Sequence, residues 1–142
     1  MGNYLKTFTP DITCEISRPL FMVPVSAGFP SPAEDYIEGS LDLNKHLIKH
    51  PAATFFVKVT GDSMINAGIH PGDILIVDRS LEPCHNKVVI AVLNGELTVK
   101  RLKIKNSCIC LEPENINYSS IEIVKETDFE IWGVVTNVIH PL

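Results

Sequence analysis

The sequence predicts a mostly β domain: an antiparallel sheet or partly closed barrel, with one short helix and an extended N-terminal arm. Three observations predict it. From residue 54 onward, short runs rich in β-branched residues follow one another. Only one segment has helical apolar spacing, and no strand–helix alternation of a βαβ fold is present. The chain of 142 residues suffices for one domain with a real core and is short for two.

Taken in order, residues 1–39 differ from the rest. Pro10, Pro19, Pro24, Pro30 and Pro32 break helices and remove backbone donors, so this region is expected to be a mobile arm, its apolar stretch 19–25 suited to an edge strand. Residues 40–142 are expected to form the β-rich body. Its helix is predicted over 40–50, where Leu43, Leu47 and Ile48 share a stripe, with Ser40 as cap and Pro51 as stop. Strand 54–60 alternates, with Phe55, Val57 and Val59 on one face. Strand 74–77 is apolar on both faces, and 87–93 is β-branched. Asn94-Gly95 then signals a type I′ hairpin into strand 96–105. Strands 107–111, 121–124 and 129–139 complete the set.

The composition excludes some classes. A formal net charge of −5 argues against strong non-specific binding to nucleic-acid phosphates. No window is apolar enough to span a bilayer, and residues 1–10 lack the apolar core of a signal peptide, so a cytoplasmic protein is expected. Cys14, Cys84, Cys108 and Cys110 then read as reduced thiols, buried or half-buried. Cys108-Ile109-Cys110 is a weak substitute for a zinc-binding pair, and neither metal nor cofactor is expected.

Two residues carry the candidate chemistry. Lys100 shares a strand face with Thr98, Leu102 and Ile104, whereas Arg101, Lys103 and Lys105 share the opposite one. A lysine facing an apolar interior is costly unless neutral or paired. Lowering a lysine from its ordinary pKa of about 10.4 to the roughly 7–8 of a working base costs about 4 kcal/mol, within the reach of burial. The bland alternative is a lysine that snorkels to the rim or pairs with Glu96 or Asp73. Ser63, in Gly61-Asp62-Ser63-Met64 at the end of strand 54–60, is placed to sit exposed with its N–H free for an oxyanion, or to be an ordinary turn or cap serine. A serine and a lysine make a complete nucleophile–base pair without histidine. Ala27-Gly28, small residues in the arm, offers a cleavable bond. His46 and His50 fail the zinc-protease pattern because Leu47 stands between them, and His70, His85 and His140 have no evident partners; Asp73 reads as a turn residue.

Several stretches together resemble the LexA-type self-cleaving serine peptidases, and within them the polymerase-accessory, UmuD-like branch. They are residues 27–33 (Ala-Gly-Phe-Pro-Ser-Pro-Ala), 42–44, 56–58, 61–64 (Gly-Asp-Ser-Met), 72–78, 95–100 (Gly-Glu-Leu-Thr-Val-Lys) and 133–135, in family order. The resemblance implies that Ser63 is the nucleophile, Lys100 the general base and Ala27-Gly28 the scissile bond. It also implies cleavage stimulated by the RecA–single-stranded DNA filament, and a homodimer that joins a UmuC-like DNA polymerase. The 27 residues ahead of the cleavage site are too few for a repressor's DNA-binding domain, which points to the accessory branch. Competing readings are a non-catalytic β-rich module that binds a polymerase, a peptidase that processes other proteins, and a truncated repressor.

Overall fold

The computed structural model describes residues 6–21 and 37–142. Ala27-Gly28 lies outside the described residues. The chain divides into two compact units, one of Asp11–Lys49 and the other of Met1–Pro10 with His50–Leu142.

In the smaller unit, strand β2 (Ser17–Phe21) pairs antiparallel with β3 (Ile37–Asp42). Pro19 takes part without its missing donor, as suits a two-stranded ribbon. Helix α1 (Leu43–Leu47) follows directly. It is shorter than the predicted 40–50, and its cap is Asp42, not Ser40: the Asp42 carboxylate accepts from Asn44 N–H at 3.1 Å, while Ser40 is spent in β3.

The larger unit is built on an eight-stranded sheet in the order β1-β4-β5-β10-β6-β7-β8-β9, every pairing antiparallel. The strands are β1 (Lys6–Phe8), β4 (Thr54–Lys58), β5 (Ile74–Asp78), β6 (Val88–Leu93), β7 (Glu96–Lys105), β8 (Cys108–Glu112), β9 (Ile121–Ile123) and β10 (Phe129–Ile139). Among the described residues the fold is thus mostly β and antiparallel with one α-helix, as the sequence predicts; the sheet is not closed, since β1 and β9 stand at its two ends. The helix already ends at Leu47, ahead of the predicted stop at Pro51, which instead opens a short 3-10 turn, Pro51–Ala53, where its fixed φ is already suitable.

The turns follow from local chemistry. Asn94 and Gly95 both have positive φ, 50° and 83°, which is the type I′ geometry that joins β6 to β7. Bulges in β10, between Ile131 and Gly133 and between Val135 and Asn137, let one long strand pair with β6 and then β5.

The sheet is buried on both faces around β6 and β7. Val57, Val59, Leu75, Val77, Ile90 and Val99 form one cluster, with Phe55 packed against it as the strand alternation predicts. Val89, Ala91, Leu102, Leu111 and Val134 form the other. Lys100 lies in register with Val89, and Thr98 with Ala91, so both stand on the second cluster's face. The cysteines are an error of the sequence reading: Cys14, Cys84 and Cys108 are exposed, and only Cys110 is half-buried, because Cys108 stands at the start of β8 beside a turn and the other two lie outside the strands.

Candidate active site

Ser63 and Lys100 come together in the larger unit. The Lys100 Nζ donates to Ser63 Oγ at 3.0 Å, with 6% of the lysine and 2% of the serine exposed. Two further acceptors complete the amine's surroundings: Thr98 Oγ1 at 2.8 Å and the Val99 carbonyl at 3.0 Å. Among the described residues no carboxylate pairs with Lys100, so the predicted alternatives of Glu96 and Asp73 do not occur. Burial without a countercharge pushes the lysine down to about 8. The bare fact that Lys100 sits within apolar strand residues produces both the buried placement and the lowered pKa.

Ser63 is buried where the sequence suggested an exposed strand end. Beyond β4, Val59 stays on the ladder, donating to the Asp73 carbonyl at 2.9 Å and accepting from Gly72 N–H at 2.7 Å. The chain then turns at Asp62 and enters the 3-10 turn Ile65–Ala67, which Gly68 ends at φ 82°. The segment after β8 covers this turn. Glu114 N–H donates to the Ser63 carbonyl and its own carbonyl accepts from Asn66 N–H, both at 2.9 Å. Asn115 Nδ2 donates to the Asp62 carbonyl at 2.9 Å, and Tyr118 OH donates to the Asp62 carboxylate at 2.6 Å. Arg101, next to Lys100, pairs with the Glu114 side chain. The serine backbone is therefore gripped from behind while its hydroxyl faces the lysine.

Sequence reasoning missed Glu114, Asn115 and Tyr118, since nothing local marks a loop that will fold over a turn about fifty residues upstream. Thr98 was placed on the lysine's face but not seen as its partner; its i, i+2 spacing was the available signal. The histidines were also misjudged. His140 Nδ1 lies 2.6 Å from one Asp73 oxygen, and the other accepts from His70 N–H at 2.7 Å, so Asp73 is a buried hub and not merely a turn residue. Ile139 pairs with Ile74, and that register brings His140 to Asp73 across 67 residues. His50, beyond the helix, contacts Asp78, and His85 Nδ1 accepts from Ile104 N–H.

A mostly antiparallel β fold with a serine hydroxyl against a buried, uncompensated lysine has the make-up of a serine hydrolase. A family model described as Peptidase S24-like matches residues 19–136. Protein SamA of Salmonella typhimurium is 48% identical over 124 residues, 87% of this chain and 86% of the relative. Protein MucA of Escherichia coli is 43% identical over 129 residues, 89% and 88% of the two chains. The LexA repressor of Idiomarina loihiensis is 39% identical over 117 residues, 82% of this chain but 57% of the repressor. The chain belongs to the S24-like peptidase family, the LexA-type serine peptidases. No helix among the described residues is long and apolar enough to cross a membrane.

Proposed function

We propose that this chain is a UmuD-like serine endopeptidase that cuts its own Ala27–Gly28 bond with a Ser63–Lys100 dyad. One observation carries the reading: the Lys100 amine, buried and held down to about 8, lies 3.0 Å from Ser63 Oγ. A neutral amine has two N–H groups and one lone pair. Thr98 Oγ1 and the Val99 carbonyl take the two hydrogens, which leaves the lone pair for the Ser63 hydroxyl proton. Ser63 Oγ, losing its proton to Lys100, attacks the Ala27 carbonyl carbon. The Ser63 backbone N–H is the proposed donor to the resulting oxyanion. The tetrahedral intermediate collapses, and Lys100 returns its proton to the departing Gly28 amine. Water then hydrolyses the ester between Ser63 and Ala27, leaving residues 1–27 and 28–142. Small residues at the bond suit a narrow cleft, and a large side chain at Gly28 blocks entry.

The wider role rests on the likeness to the UmuD-like branch. In it the RecA–single-stranded DNA filament stimulates cleavage, and the processed homodimer serves a UmuC-like translesion polymerase in the cytoplasm during the SOS response to DNA damage. The family match at 19–136 spans both the proposed bond and the dyad, and this supports placing substrate and enzyme on one chain.

Purified protein held at pH 7 and pH 9 and followed by intact mass spectrometry tests the peptidase reading. Cleavage after Ala27, faster at pH 9 and absent in Ser63→Ala and Lys100→Ala, is the expected result. Persistent cleavage in either variant sinks the dyad. A wild-type chain that stays intact, with RecA filament also added, favours a non-catalytic polymerase-binding module.

A further inference from the structure

The peptidase chemistry makes no use of His70, Asp73 and His140, which form a second constellation in the larger unit. Asp73 is 1% exposed and takes the His70 N–H and the His140 ring on its two oxygens. His70 Nδ1 lies 3.6 Å from Asp73 Oδ2 and is a buried nitrogen without a hydrogen-bond partner. The two imidazoles face each other with centroids 4.4 Å apart and planes inclined by 30°. One ligand atom from each residue falls within 4.8 Å of the others.

A buried ring nitrogen left unpartnered carries a desolvation cost that nothing in the fold returns. Its lone pair converges with a desolvated carboxylate and a second imidazole, and this set matches a cation's needs better than a hydrogen-bonding role. We propose that His70 Nδ1, the Asp73 carboxylate and His140 Nδ1 bind one divalent first-row transition-metal ion. Two imidazoles and a carboxylate suit zinc, with the fourth position left to water. Tetrahedral zinc with bonds of about 2.1 Å spaces its ligand atoms about 3.4 Å apart. The separation of His70 Nδ1 from Asp73 Oδ2, 3.6 Å, is already close to that. The 2.6 Å contact of His140 is with the other carboxylate oxygen, Oδ1, so both oxygens face the ion or His140 shifts toward Oδ2; His140 is an exposed residue beyond the last strand, where such movement is cheap. On binding, the His140 proton sits on Nε2, freeing Nδ1 to ligate.

The position gives the ion a role. Asp73 and Gly72 hold Val59 through backbone hydrogen bonds of 2.9 and 2.7 Å, four residues ahead of Ser63. An ion here ties the start of β5 to the end of β10 and fixes the turn on which the nucleophile's strand is anchored. It is a structural clamp, separate from proton transfer.

Cobalt titration of the full-length chain tests the site. The free thiols are first alkylated, because Cys14, Cys84 and Cys108 are exposed and compete for metal. After chelator treatment, Co²⁺ should bind at one ion per chain with the visible bands of a four-coordinate site, and Zn²⁺ should displace it. Zn²⁺ should also raise the Tm. His140→Gln and His70→Gln should each weaken binding at least about tenfold and abolish the Tm rise, with circular dichroism unchanged. If His70→Gln misfolds, the exposed His140→Gln carries the test. Absence of cobalt bands, or equal binding by the variants, overturns the proposal and leaves the cluster a hydrogen-bonded triad; neither result bears on the dyad.

Discussion

Thr98→Val should move the pH–rate profile of self-cleavage to lower pH and lower its plateau, so that wild type and variant cleave at similar rates near pH 7 and diverge at pH 9. The wild-type lysine, held to about 8, is neutral in roughly one tenth of molecules at pH 7 and nine tenths at pH 9. Its rate should therefore rise about tenfold over that interval. The Thr98 hydroxyl, 2.8 Å from Nζ, accepts a stronger hydrogen bond from the ammonium than from the amine, by roughly 1–1.5 kcal/mol. Removing it lowers the lysine by about one more pH unit and raises the neutral fraction at pH 7 about fivefold. The same change frees one N–H that had aimed the lone pair at Ser63. Losing that alignment costs about 1 kcal/mol, or about fivefold in rate at every pH. The two effects cancel near pH 7, whereas at pH 9 only the loss remains. First-order cleavage rates from pH 6 to 10, read by intact mass, measure this. A uniform drop with an unmoved midpoint, or a midpoint shifted upward, refutes the idea that Thr98 stabilises the ammonium form of the lysine.

Other positions make separate predictions. Gly133→Ala places a Cβ 2.7 Å from Val77 Cγ1 and 3.2 Å from the Asp78 carbonyl oxygen, so it should cost about 1–3 kcal/mol and lower the Tm in thermal denaturation. Leu111→Ala, at a fully buried site, should cost about 2–5 kcal/mol in urea unfolding without moving the midpoint of the cleavage pH profile. Tyr118→Phe removes the 2.6 Å hydrogen bond to Asp62 and should slow cleavage a few-fold while leaving the Tm nearly unchanged; a large Tm loss would show that this contact holds the fold and not the serine.

Much of this molecule was legible along the chain. The strands from β4 to β10 stand close to where alternation and turn residues put them, since each is dictated by neighbours in sequence. Lys100 could be separated from Arg101, Lys103 and Lys105 because strand periodicity alone assigns faces. What remained hidden depends on pairing at long range. That β10 lies between β5 and β6 follows from no local pattern, and with it goes the approach of His140 to Asp73. The burial of Ser63 was hidden for the same reason: the covering residues Glu114, Asn115 and Tyr118 arrive from beyond β8. The helix cap moved from Ser40 to Asp42 because β3 claimed Ser40 first.

Strands β1 and β2 both precede residue 27, while their partners β4 and β3 both follow it. In the intact chain these pairings are held together by covalent connection as well as by hydrogen bonds. A cut between residues 27 and 28 leaves β1 attached through three residue pairs and β2 through five, with the tether gone. β1 and β2 then stay linked only to each other, and each is a short segment whose pairing no longer benefits from connection to the body. Departure of that fragment would expose two strand edges, β4 and β3, each with unpaired backbone donors and acceptors able to take a new strand from a partner.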